Sequence, residues 1–329
     1  NGTYASETWA NGATNTELAT IAEAMSSALF TTGQFDISTS VFTDAFSVAS
    51  QENDPYGITF NTDGTKMFIV GFSGQDVNEY ALSTGFDVST AVFTDAFSVS
   101  AQDTVVLGIA FNTDGTKMFV VGITNDNVYE YALSTGFDVS TASYTDAFSI
   151  SAQDDAARGI AFNTDGTKMF VVGQVGQDVN EYTLSTGFDV STASFVDSFS
   201  VGTQDSSPEG LAFNLDGTEM FVVGDVSNSI HKYTLGTGFD VSTAAFTESL
   251  SVSVQDTAPK GIAFNDDGAK MFIVGGAGDD VNEYSLGSAA SRNWMNKTQL
   301  DAVTDANHIV LGNDLDLAIV FNLSSGTTV

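Results

Sequence analysis

Cysteine is absent from all 329 residues. Disulfides, thiolate chemistry and cysteine-based zinc sites are therefore excluded. Histidine is almost as scarce, with His231 and His308 the two in the chain, and Arg158 and Arg292 are the two arginines. Imidazole-based acid–base catalysis has little to work with. Basic residues total 9 against 42 acidic ones, a formal charge of −33. Nucleic acid is excluded as a partner, because phosphate binding needs clustered Lys and Arg. Anionic membrane surfaces are disfavoured for the same reason. No apolar run approaches the roughly 18 residues of a membrane-spanning helix. The chain begins at Asn1 without a Met or a signal-like segment, so it is expected to be a processed product or a portion of something longer.

What is present is repetition. Phe-Asn-Thr-Asp-Gly-Thr-Lys-Met-Phe begins at Phe60 and returns, exactly or in close variants, at Phe111, Phe162, Phe213 and Phe264. The first step is 111 − 60 = 51 residues, and the others match it without insertion. Periods of about 20–50 residues mark solenoids, propellers or arrays. Within the unit starting at Gly108, apolar runs flank an Asp-Gly turn, the signature of a β-hairpin. Lys117 to Gly122 is nearly all apolar, as in a strand covered on both faces. An alternating strand follows from Val128 to Leu133, then a connector of turn residues. A last strand, Tyr144 to Ala152, places Tyr144, Phe148 and Ile150 on one side and Ser and Thr on the other, the pattern of a half-exposed edge.

Four short strands per unit predict an all-β fold, a five-bladed β-propeller of four-stranded blades. The outer strand occurs first near Phe42, before any inner set, while the last inner set, ending at Leu286, has no outer strand after it. Phe42 to Ser50 is thus expected to complete the blade of Gly261 to Leu286 and close the ring. The competing reading is a five-repeat piece of an open array. The propeller domain is placed at 33–288, with flanks at 1–32 and 289–329.

The flanks do not repeat. Thr14-Asn15-Thr16-Glu17 is a capping-box pattern. Leu18, Ile21, Met25 and Leu29 follow at helical spacing, predicting an amphipathic helix that needs a partner. That partner is either the propeller's own surface or a neighbouring subunit. In the C-terminal flank Leu317, Ile319 and Phe321 alternate with polar residues, a long strand in want of a sheet. These seven residues are the expected assembly contacts, and a homo-oligomer within a larger assembly is the expected state.

Most repeated polar residues suit local structure. Asp63 and its equivalents read as turn formers, and Asp87 and its equivalents as caps for the Ser two residues on. The Phe before each of these caps is expected to fill the gap between blades. The loop entering each inner strand carries an acid after Gln: Glu52, Asp103, Asp154, Asp205 and Asp256. Beside Asp76, Asn127, Asp178, Ser229 and Asp280 they form a candidate acidic ring for a cation such as Ca²⁺, or for a polyol. Capping of the strand ends is the competing reading. No other cofactor is indicated. His231 and Lys232 replace Asn180 and Glu181 of the preceding repeat and read as drift on an exposed strand. No repeat breaks the symmetry as a glycosidase's unequal carboxylates require, so no enzyme is expected.

The unit Gly-Phe-Asp-Val-Ser-Thr-Ala … Phe-Ser-Val-Ser-Ala-Gln-Asp … Gly-Ile-Ala-Phe-Asn-Thr-Asp-Gly-Thr-Lys-Met-Phe-Val-Val-Gly … Asp-Val-Asn-Glu-Tyr resembles repeats of marine, cyanophage-like bacteriophage virion proteins and of marine bacterial surface proteins. Its Asp-Gly-Thr-Lys-Met-Phe-Val-Val part more distantly resembles YVTN and lactonase-like propellers. The resemblance implies a non-enzymatic structural or adhesive subunit of a virion or extracellular appendage, with the propeller as display or receptor-binding module. The alternatives are a lectin-like propeller binding cell-surface glycans at several equivalent sites, and a glycoside hydrolase on a five-bladed scaffold.

Overall fold

The computed structural model describes residues 35–287, and they form a closed five-bladed β-propeller. Ser40–Ser47 is β1. Blade 1 holds β2 (Pro55–Phe60), β3 (Lys66–Gly71), β4 (Asp76–Leu82) and β5 (Ala91–Ser98). Blade 2 holds β6 (Val106–Phe111), β7 (Lys117–Gly122), β8 (Asn127–Leu133) and β9 (Ala142–Ser149). Blade 3 holds β10 (Ala157–Phe162), β11 (Lys168–Gly173), β12 (Asp178–Leu184) and β13 (Ala193–Ser200). Blade 4 holds β14 (Pro208–Phe213), β15 (Glu219–Gly224), β16 (Ser229–Leu235) and β17 (Ala244–Ser251). Blade 5 holds β18 (Pro259–Phe264), β19 (Lys270–Gly275) and β20 (Asp280–Leu286), and takes β1 as its fourth strand. β1 runs antiparallel to β20 from Ser40 opposite Leu286 to Ser47 opposite Asp280. The expected clasp is therefore the observed one, and β18 touches β2 to complete the inner ring. The expected assembly contacts Leu18, Ile21, Met25, Leu29, Leu317, Ile319 and Phe321 lie outside the described residues.

Each blade is sandwiched between two others, which is why the second strand needs no polar face. Met67, Phe68, Ile69 and Val70 of β3 are all fully buried. The Asp-Gly turn before it is held locally, with the Asp63 carboxylate accepting from Thr65 N at 3.0 Å. Gly64 is required there twice over. Its φ is +69°, and a Cβ would lie 2.2 Å from the Phe86 ring. Phe86 fills the junction between blades, meeting Phe60 at a tilt at 5.3 Å and stacking on Phe272 of blade 5 at 6.2 Å. Behind it, the Asp87 side chain accepts from Ser89 N and caps a short 3₁₀ turn.

A polar tie crosses each junction. Lys66 Nζ sits 2.7 Å from Glu79 and donates to Phe137 O of blade 2 at 2.6 Å. The other Glu79 oxygen accepts from Val139 N at 3.1 Å. Blades 2, 3 and 5 repeat the Lys–Glu pair. Blade 4 exchanges the partners, with Glu219 on β15 and Lys232 on β16 still 2.7 Å apart. Lys232 Nζ nevertheless reaches the equivalent carbonyl, Phe35 O, at 3.1 Å.

The outer strands depart from simple alternation. A β-bulge interrupts β1 between Phe42 and Asp44, and β5, β9, β13 and β17 carry the same irregularity. The bulged Thr145 hydroxyl donates to Glu130 O. Tyr144 is consequently 45% exposed while Ile150 is fully buried, although period-2 counting put them on one face.

Candidate functional site

The innermost strands meet along the axis at glycine. A Cβ on Gly57 would lie 2.8 Å from Leu107 O, and one on Gly261 would lie 2.3 Å from Tyr56 O. Glycine thus lets five backbones approach closely and makes a waist. The two sides of the waist are different sites. On one side lies a well of 390 Å³, lined by Phe60, Phe111, Phe162, Phe213 and Phe264 over Ile58 and its equivalents. Its mouth carries Thr62, Thr113, Thr164, Leu215 and Asp266 at one repeated position. On the other side the channel narrows to a pocket of 20 Å³.

That narrow end is where the repeat breaks. The residues just before the five glycines are Tyr56, Leu107, Arg158, Glu209 and Lys260, five different side chains at one repeated position. Glu209 is 3% exposed and lies between two cations, 3.3 Å from Arg158 and 3.5 Å from Lys260. Lys260 also reaches Asp225 at 2.8 Å and lies 5.0 Å from the centre of the Tyr56 ring. Arg158 donates to Gln174, Gln174 donates to Ser207 Oγ at 2.7 Å, and Ser207 returns to Glu209 at 3.0 Å. Burial pushes the Glu209 carboxyl above its ordinary range, against the pull of Lys260 and Arg158. Burial works against the Lys260 ammonium, yet Glu209 and Asp225 outweigh it and hold its pKa above the usual lysine value.

The loop following the second strand of each blade extends this asymmetry. At one repeated position it presents Phe72, Ile123, Gln174, Asp225 and Gly276. Blades 1 and 2 therefore offer Tyr56, Phe72 and Ile123 over the buried Leu107, whereas blades 3 to 5 offer Arg158, Gln174 and Asp225 over the buried Glu209 and Lys260. The face is split into an apolar half and a polar half. Pattern-based reading missed this site because it weighed motifs that recur. The available signal was the opposite one, a position where near-identical repeats all disagree.

The five acids expected to form a ring each accept a backbone N–H in their own loop, and one oxygen of Asp256 is left without a partner among the described residues. Glu52, Asp103, Asp154, Asp205 and Asp256 are all buried. Glu52 accepts from Asp54 N, Ser73 N and Gly74 N, the last at 2.7 Å. Asp205 accepts from Ser207 N and Ser227 N, both at 2.7 Å. These carboxylates pin the two loops of each blade together on the narrow face. Burial nonetheless raises the pKa of Glu52 and of Asp256. Among the described residues no group of three acidic or histidine side chains is placed to hold a metal ion. The Gln beside each acid accepts from a buried tyrosine hydroxyl, as Gln102 does from Tyr131 at 3.2 Å.

His231 and Lys232 are not on an exposed surface, as the repeat comparison suggested, but are 4% and 9% exposed. Burial follows from their place on β16, the third strand, which packs between blades. His231 bridges Ser227 at 3.0 Å and Ser249 at 2.8 Å, so both ring nitrogens are hydrogen-bonded. Burial lowers its pKa, partly offset by Asp205.

No protein-family model and no curated protein matches the chain. Solved structures similar to it include a functionally unknown protein from Desulfotomaculum acetoxidans, at 14% identity and a TM-score of 0.42, covering 67% of this chain and 62% of that one. Two proteins provisionally named 6-phosphogluconolactonase are also similar. The one from Bacteroides uniformis has 12% identity and a TM-score of 0.44, covering 66% of this chain and 62% of that one. The one from Bacteroides fragilis has 11% identity with the same TM-score and coverage. The chain thus spans 62% of the length of each of these three structures, and the similarity is one of fold alone.

Proposed function

We propose that this propeller is a non-enzymatic binding and display module of a structural or adhesive assembly, and that its recognition surface is the narrow axial face. The carrying observation is the position occupied by Tyr56, Leu107, Arg158, Glu209 and Lys260. Blades that are otherwise near copies differ there completely and differ again at the overlying Phe72, Ile123, Gln174, Asp225 and Gly276, so that a partner meeting that face sees one asymmetric surface built over the buried Leu107, Glu209 and Lys260. The charged network supports recognition of a charged partner, since Glu209 lies between Arg158 and Lys260 and Lys260 reaches on to the partly exposed Asp225. The acidity of the chain and the resemblance of its repeat support a virion or cell-surface setting, with protein partners. A multivalent glycan-binding reading calls for pockets between blades. Those junctions are filled by Phe86 and its equivalents, stacked on a phenylalanine of the adjacent blade.

The test is adhesion of the full chain to a panel of intact marine bacteria. It is compared with the triple variant Arg158→Leu, Glu209→Leu, Lys260→Leu, which copies Leu107 of blade 2. Loss of adhesion in a variant that retains its thermal unfolding transition supports the proposal. Unchanged adhesion overturns it.

A further inference from the structure

The 390 Å³ well at the opposite end of the axis has no part in that reading, and its chemistry is distinct. We propose that the well binds an alkylammonium ligand, its apolar chain seated among the five phenylalanines and its cationic head beside Asp266. The volume lies toward the low end of the roughly 300–1,000 Å³ of ligand pockets, so one small ligand fits. The phenylalanines line the well over an apolar floor of Ile58, Ile109, Ile160, Leu211 and Ile262, while Thr59 and the Asn61 and Thr62 positions add polar groups to the lining.

Polar groups at the rim are mostly engaged. Asn61 Oδ1 accepts from Lys66 N at 2.8 Å and its Nδ2 donates to Thr65 at 3.1 Å. Thr62, Thr113 and Thr164 each donate to the next blade's carbonyl at 3.3–3.4 Å. A sugar or other polyol would find few free partners there. The Thr59 hydroxyl and Asp266 stand apart from these pairs. Asp266 is the one charged residue lining the well, it replaces the threonine of blades 1 to 3, and it is exposed at the rim. The aromatic lining adds attraction for a cation. The net charge of −33 concentrates cations and repels anions, which disfavours a fatty acid in the same well.

The experiment is calorimetric titration of the full chain with hexyltrimethylammonium, hexanol, hexanoate and tetramethylammonium at low salt. Hexyltrimethylammonium should bind once per chain and more tightly than the other three. Asp266→Thr, which restores the residue of blades 1 to 3, should weaken it about 2–5-fold. Ala161→Phe should abolish binding by filling the well. Independently of how that variant folds, nuclear Overhauser contacts between the ligand's methyl groups and phenylalanine ring protons in the unmodified chain provide a second readout. Equal binding of hexanol or hexanoate, equal binding of tetramethylammonium, or an unaltered affinity in Asp266→Thr would each overturn the assignment. So would absence of ring contacts, or no binding in the millimolar range.

Discussion

The two ends of the propeller axis are made by the same five strands and follow opposite rules. Along the wall of the well the blades agree, each giving a phenylalanine, and they differ at the rim position of Thr62, Thr113, Thr164, Leu215 and Asp266. At the narrow end they give Tyr56, Leu107, Arg158, Glu209 and Lys260. The difference lies in what each side chain touches. Phe60 packs on Phe86 at 5.3 Å and on Phe272 of the adjacent blade at 4.5 Å, so a change there must be matched across a junction. The residues at the narrow end meet chiefly one another and the loops above them. Any set is acceptable if its buried charges balance, and here Arg158 and Lys260 face Glu209 and Asp225. Repetition is kept where blades must interlock and lost where they only converge.

The sharpest way to break this comparison is to unbalance the narrow end. Glu209→Ala leaves two largely buried cations without their shared anion and should cost about 3–5 kcal/mol in chemical denaturation. The triple leucine variant described above should be neutral or stabilising in the same assay, since an apolar set removes the desolvation cost. If Glu209→Ala proves harmless, the network is solvated and the contrast between the ends fails.

The exchanged pair of blade 4 asks whether balance or position matters. Glu219→Lys alone places two ammonium groups where a salt bridge stands and should cost about 2–3 kcal/mol, tempered because the Glu219 side chain is 24% exposed. Adding Lys232→Glu restores the arrangement of the other blades and should recover most of that loss in thermal unfolding. At the end where blades agree, Gly115→Ala should cost about 1–3 kcal/mol, because φ is +70° and the new Cβ would lie 2.2 Å from the Phe137 ring.

The smallest effect concerns pH. Burial holds the folded pKa of His231 below its unfolded value, so the unfolded chain takes up the proton first as pH falls. His231 therefore contributes instability that grows below about pH 6.5. His231→Asn, the residue of blade 3, should flatten the stability profile there by under about 1 kcal/mol. An unaltered profile would mean that Asp205 cancels the burial effect.

Much of this was legible in order and spacing. The clasp could be counted from strands, and the Asp-Gly turns and Asp caps read from adjacent residues, because both depend on neighbours along the chain. The bulge at Thr145 and its equivalents was not legible, since alternation carries no mark of an extra residue facing a partner strand. Nor was the burial of His231, because a polar side chain on a third strand looks exposed until the next blade covers it.

The sequence by itself determined the ring: a fixed period of 51 residues with an outer strand displaced to the front leaves a blade that must be completed by the first strand. Tertiary structure alone decided which residues share the axis. Tyr56, Leu107, Arg158, Glu209 and Lys260 are each separated by a whole blade in the chain. The packing of successive blades around the glycine waist brings the charges of Arg158, Glu209 and Lys260 within reach of one another, and closure of the ring sets Tyr56 beside Lys260.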